Sequence, residues 1–255
     1  NEVTFKYLAN IPFRKAWLDR LEKTNNYPKY SSPSRNNEYY YFYKNDGLQN
    51  QSVLYRQKGL NGTPEVVLDP NTLSAGGTTS LAIFTLSKNG KYAVVGTSEG
   101  GSDWRTMYVR DMSTGKNLSD EIKWAKVTGV SWQGDGFYYS RYPQPEPGKE
   151  LSTKNENHQV YFHKVGTPQS QDVLVYEDPA NPQRFHGVFT SEDEKYTFLN
   201  ISDRGKGKQG NALWYRVGKD PAAPFKPLIA EPGEYSYSPI EVVKGKFLMS
   251  TNDGA

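Results

Sequence analysis

The sequence contains no cysteine, three methionines and three histidines in 255 residues. Without cysteine there is no disulfide, no thiolate metal ligand and no cysteine nucleophile, and the composition fits cytoplasm and periplasm equally. His158, His163 and His186 have no histidine or carboxylate at a standard metal-ligand spacing, so they read as structural or exposed and no metal site or cofactor is expected. One-signed charge is scarce too. Thirty-one basic residues face 28 acidic ones, interspersed, for a net +3. That is no electrostatic footprint for nucleic acid. No apolar run approaches the roughly 20 residues of a membrane-spanning helix, so no membrane partner is expected.

Aromatics, glycine and proline are plentiful. Tyrosine (19) and phenylalanine (11) suit pleated, half-buried surfaces, and 23 glycines with 16 prolines punctuate short segments. The chain therefore reads as all-β. A phrase recurs in it: a polar turn followed by an aromatic run, as in Ser87–Gly96, where Asn89-Gly90 predicts a tight I′ hairpin turn. The first aromatics after the turns are Tyr39, Tyr92, Phe137, Tyr196 and Phe247, at spacings of 53, 45, 59 and 51 residues. Five copies of this size predict propeller blades. Each copy offers three or four strands, the content of a four-stranded blade. The reading is four blades and part of a fifth over residues 27–255.

Residues 1–26 differ. Phe13, Trp17, Leu18 and Leu21 lie on one face of a predicted helix with Pro12 at its start, and a shorter helix fits Val3–Ala9. In block three the strands are expected at Val127–Trp132, Gly136–Arg141, Gln159–Lys164 and Asp172–Tyr176, interrupted by a polar loop, Pro143–His158. The aromatic clusters Tyr39–Tyr43 and Tyr138, Tyr139 and Tyr142 are expected mostly in the core and between blades, with one or two free to face a central cavity and contact substrate.

Two motifs invite catalytic readings. Gly96-Thr97-Ser98-Glu99-Gly100 matches GxSxG, but a nucleophile elbow opens a helix, whereas Trp104–Asp111 reads as a strand. The motif is expected to be a loop between blade strands. Gly205, Gly207 and Gly210 match GxGxxG, but the following Asn211–Tyr215 is a strand candidate, so the expectation is a basic hairpin loop (Arg204, Lys206, Lys208).

Longer ordered runs carry a resemblance. Val3-Thr4-Phe5-Lys6-Tyr7-Leu8, Tyr27-Pro28-Lys29-Tyr30 and the run from Lys44 to Tyr55 closely resemble the start of prolyl oligopeptidases. Gly101-Ser102-Asp103-Trp104, Phe137–Pro143, His158-Gln159-Val160-Tyr161 and Ser250–Gly254 follow in the family's order. The resemblance implies a serine peptidase that cleaves short peptides after proline. Its α/β-hydrolase domain would be joined by residues 1–26, and its seven-bladed propeller, begun by residues 27–255, would limit access to small peptides. The family's Ser, Asp and His lie beyond its propeller, so no catalytic residue is expected in this chain. Its nucleophile turn reads GGSNGG, and Ser98 is not at that position. Two substrate-binding positions carry over, Tyr138 and Phe185, which line the cavity beside the proline's neighbours. Pro143–His158 corresponds to a loop at the entry between domains. Expected partners are proline-containing peptides and the rest of the same polypeptide. The alternative reading is a non-enzymatic propeller module that binds peptides or proteins.

Overall fold

The structure is a computed structural model that describes residues 1–203, 205, 207 and 209–254. The chain divides into two compact units, Asn1–Ser80 and Leu81–Ala255.

The first unit opens with helices α1 (Glu2–Ala9) and α2 (Arg14–Asn25). α2 carries the apolar face expected from the spacing, yet neither helix has a buried residue, and Phe5, Phe13, Trp17, Leu18 and Leu21 are all more than half exposed. A sheet follows, made of β1 (Lys29–Tyr30), β2 (Ser34–Asn36), β3 (Tyr39–Asn45), β4 (Val53–Lys58) and β5 (Glu65–Leu68), in the order β1-β3-β4-β5 with β2 also on β3. Of the Tyr39–Tyr43 cluster only Tyr41 is fully buried; Phe42 stacks on Tyr55 across the β3–β4 pair.

The second unit is antiparallel throughout. A seven-stranded sheet runs through β6 (Thr79–Leu86), β7 (Tyr92–Glu99), β8 (Arg105–Asp111), β9 (Lys116–Gln133), β10 (Gly136–Arg141), β11 (Gln159–Lys164) and β12 (Val173–Tyr176), each paired with the next. A four-stranded sheet follows, β13 (Arg184–Thr190), β14 (Tyr196–Asp203), β15 (Asn211–Val217) and β16 (Lys226–Ile229), and then the pair β17 (Tyr237–Val243) and β18 (Lys246–Thr251). These sheets supply the expected blades, with one difference. β9 serves blades two and three together, and its first half, Lys116–Lys123, was not expected as a strand. The segment is highly polar, and one of its inward side chains is a carboxylate, Asp120, which is neutralised from the neighbouring blade. Trp124 and Val127 take positive φ (63° and 51°) where the chain crosses between blades. A bulky and a β-branched residue are costly there, so the surrounding contacts must impose it.

Alternation along β10 shows how the blades share a core. Phe137 and Tyr139 point into one cluster with Val94, Met107, Val109, Ile122 and Trp132. Tyr138 points the opposite way, into a cluster with Val160, Phe162, Leu199, Ile201 and Ala212. Blade three is thus buried on both faces, against blades two and four. Gly136 opens this strand because a Cβ would stand 2.3 Å from the His163 carbonyl oxygen.

Candidate functional site

The repeated turns meet. The turns of blades two (Ser87–Lys91), three (Gly134, Asp135) and four (Glu192–Glu194) line one cleft of about 640 Å³. Two of them are built alike. The Ser87 amide donates to the Tyr92 carbonyl (2.8 Å) and the Gly90 amide to the Ser87 carbonyl (2.9 Å); Ser191, Tyr196 and Glu194 repeat this at 2.9 Å each. The Ser87 hydroxyl donates to Asn89 Oδ1 (2.9 Å), as Ser191 does to Asp193 Oδ1 (2.7 Å). That donor holds the Asp193 carboxyl down at about 2. The expected I′ turn is corrected here. Only Gly90 has positive φ (70°), matched by Glu194 at 57°, because Asn89 is held by side-chain bonds to Ser87 and the Lys91 amide. Lys88 and Glu192, equivalent positions in the two turns, form an ion pair across the cleft. The Gln133 amide group donates to the Glu194 carbonyl (2.9 Å), and Glu194 accepts from the Gly134 amide (3.1 Å) and Lys219 (2.6 Å).

The second locus is the seam between blades three and four. Tyr138 is 1% exposed. Its hydroxyl donates to Gln133 Oε1 (2.6 Å) and accepts from Arg216 Nη2 (2.7 Å), and its ring lies against Phe162. Burial raises its pKa, against the pull of the Arg216 charge. In this arrangement Tyr138 is part of the inter-blade core. Phe185 is half-buried on β13, with its ring edge-to-face on His158 (5.8 Å, 89°). Its neighbour Arg184 is buried and answers three carboxylates, Asp178 (3.2 Å), Asp203 (3.3 Å) and Glu231 (2.5 Å). Tyr138 and Phe185 both lie along this seam but at opposite ends of it: the Tyr138 hydroxyl meets Gln133, which also bonds Thr197, whereas Phe185 stands opposite Ser202, five residues further along β14. The structure also shows Gln133, Arg184 and Arg216, none of which carries a recognisable signal in the sequence.

Hydrogen bonds from outside the loop of residues 143–158 tie it down along its length. Trp104 Nε1 donates to the Glu150 carbonyl (2.7 Å), Gln183 donates to Glu156 (2.6 Å), and the Asn157 amide donates to the Pro182 carbonyl (2.9 Å). Trp104 lines two clefts, of about 290 and 390 Å³.

The tempting motifs resolve differently. Gly96–Glu99 is strand β7 rather than loop, and the Ser98 hydroxyl donates to the Ser102 carbonyl. Arg204, Lys206 and Lys208 of the expected basic loop lie outside the described residues. All three histidines are buried.

The model of the prolyl oligopeptidase N-terminal β-propeller domain matches residues 1–255. The chain belongs to the prolyl oligopeptidase family. It is 44% identical over 227 residues to a prolyl endopeptidase of Elizabethkingia meningoseptica, covering 89% of this chain and 32% of that protein. It is 36% identical over 220 residues to the dual function macrocyclase-peptidase POPB of Galerina marginata, covering 77% of this chain and 30% of that one. Among solved structures it superposes on prolyl oligopeptidase B from Galerina marginata bound to a 25mer macrocyclization substrate, with a TM-score of 0.89 and 29% identity over 100% of this chain and 38% of that one. The chain spans about a third of the length of the curated relatives it matches. A prolyl oligopeptidase propeller accounts for the fused antiparallel blades, for turns converging on one cleft, and for the poor fit of Ser98 to a nucleophile's place. Among the described residues, no helix is long and apolar enough to cross a membrane.

Proposed function

We propose that this chain is the substrate-gating propeller portion of a prolyl oligopeptidase, a serine endopeptidase cleaving short peptides on the carboxyl side of proline. The observation that carries this is the match of the family's propeller model over residues 1–255. On this reading residues 1–26 pack on the catalytic domain and residues 27–255 form the first part of the propeller. The exposed Phe5, Phe13, Trp17, Leu18 and Leu21 support this, since apolar side chains in a row call for a covering surface. The covering surface is the rest of the same polypeptide.

In the intact enzyme a serine outside this chain attacks the carbonyl after proline, with a histidine as base and an aspartate orienting it. The propeller admits small peptides, excludes water and adds contacts beside the proline. Phe185 offers its half-buried ring to the residues next to proline. Tyr138 is the second position carried over for this subsite; with its side chain buried in the inter-blade core it offers a peptide no surface in this arrangement.

The full-length protein is assayed on a chromogenic Gly-Pro-linked peptide and on its Gly-Ala counterpart. Cleavage of the first and not of the second is expected. No cleavage, or cleavage indifferent to proline, overturns the proposal. A downstream reading frame with a GGSNGG-like turn followed by aspartate and histidine is the accompanying expectation.

A further inference from the structure

Phe185 is flanked by two residues that are themselves held. On one side the Arg184 guanidinium answers three carboxylates; on the other, His186 is locked to His158 by a reciprocal pair of bonds. The His186 backbone amide donates to His158 Nδ1 (3.0 Å), and His186 Nδ1 donates to the His158 carbonyl (2.6 Å). An amide hydrogen on Nδ1 places the His158 proton on Nε2, which donates to the Lys126 carbonyl (3.1 Å). One neutral imidazole therefore ties the crossover of β9, the entry to β11 and strand β13 together. The same ring lies between Tyr142 (4.7 Å) and Phe185 (5.8 Å). It is 1% exposed, so solvent does not compete for these bonds.

We propose that His158 is a positioning residue for Phe185 and thereby a determinant of how tightly the peptide beside the proline is held. This rests on the reading of Phe185 as a substrate contact. His158 need not touch the peptide. It acts by fixing the backbone next to Phe185 through Nδ1 and by buttressing the Phe185 ring with its edge-to-face contact. A side chain held in one geometry before binding loses less freedom when the ligand arrives, so the effect appears in substrate affinity rather than in the chemical step.

The test uses the full-length enzyme and a chromogenic peptide with two residues before the proline. His158→Gln keeps an N–H for the Lys126 carbonyl but loses both the acceptor for His186 and the ring. His158→Asn returns an acceptor near the place of Nδ1 without the ring. The expected result for His158→Gln is a rise in KM of about five-fold, the size carried by an edge-to-face ring pair, with kcat within about two-fold of wild type. His158→Asn falls between wild type and His158→Gln. Phe185→Ala raises KM by itself, and adding His158→Gln to it brings no further rise, because the two act through one contact. If KM is raised by Phe185→Ala and unchanged in both His158 variants, the positioning role is overturned while the Phe185 reading stands. If Phe185→Ala leaves KM unchanged, both fall. Effects that multiply in the double variant overturn the positioning role. Should His158→Gln not fold, His158→Asn paired with Phe185→Ala decides by the same criterion.

Discussion

Replacing His163 should destabilise the propeller more than any surface change in this chain. Its ring is fully buried, with Nε2 on Asp120 Oδ1 (2.9 Å) and Nδ1 on Asp172 Oδ1 (2.7 Å). Two carboxylates on the two nitrogens call for a proton on each, so the group is an imidazolium. Burial pulls its pKa down, but the hydrogen bonds and charges of Asp172 and Asp120 outweigh it, and the pKa is raised above 6.5. The carboxylates have further donors: the Gly166 amide on Asp120 (2.6 Å) and the Tyr139 hydroxyl on Asp172 (2.7 Å). The network therefore joins the outer strand of blade two to blade three. His163→Leu leaves two carboxylates facing each other without a cation, a loss of about 3–5 kcal/mol. Asp120→Asn keeps an acceptor for both His163 and Gly166 and removes one charge, for about 1–2 kcal/mol. The pH dependence has a definite sign. A group whose folded pKa is raised contributes fully below its unfolded value, here 6.5, and the contribution is lost as pH rises through the folded value. The stability gap between wild type and Asp120→Asn should therefore be constant below 6.5 and narrow above it. Urea unfolding of the full-length protein, followed by tryptophan fluorescence across this range, measures both quantities. A loss under about 1 kcal/mol in His163→Leu, or a gap that widens with rising pH, refutes the ion-network account.

Three further outcomes are expected. On the proposed function, Ser98→Ala should leave the full-length protein's turnover of the Gly-Pro peptide within about two-fold of wild type, since its hydroxyl serves the Ser102 carbonyl from a blade strand; loss of turnover would restore the nucleophile reading. Gly136→Ala should cost about 1–3 kcal/mol in the same unfolding assay, because the new Cβ meets the His163 carbonyl and the Phe162 ring, and a silent substitution would show that β10 can shift. Trp104→Phe removes the indole donor to the Glu150 carbonyl and should speed limited proteolysis within residues 143–158; an unchanged cleavage pattern would mean the remaining ties suffice.

Much of the candidate site was legible as residue types but not as connections. Phe185 and Tyr138 were carried over as candidates from the family resemblance. Their surroundings were not: Arg216 lies 78 residues from Tyr138, and Glu231 lies 47 from Arg184. Nothing local marks such partners, because a buried arginine looks in sequence like an exposed one. The three histidines read as structural or exposed and all prove buried, yet their spacing concealed that two of them lock a strand and that the third sits between two carboxylates. The GxSxG motif failed as an elbow for a local reason, the strand-forming run on both sides of it.

The repeat phrase and its period by themselves determined that the chain is β and built in blades, since turn chemistry and side-chain alternation act over a few residues and leave a local trace. The family followed from long ordered runs of the same kind. Tertiary structure decided that β9 serves two blades at once, and that Asp120 faces inward. A polar strand can point a carboxylate into a core when a neighbouring blade supplies the cation, and that cation is His163, on a strand two removed in the sheet. It also decided that Tyr138 is held between Gln133 and Arg216, for the same reason: burial of a polar group is permitted by partners that folding brings from far along the chain.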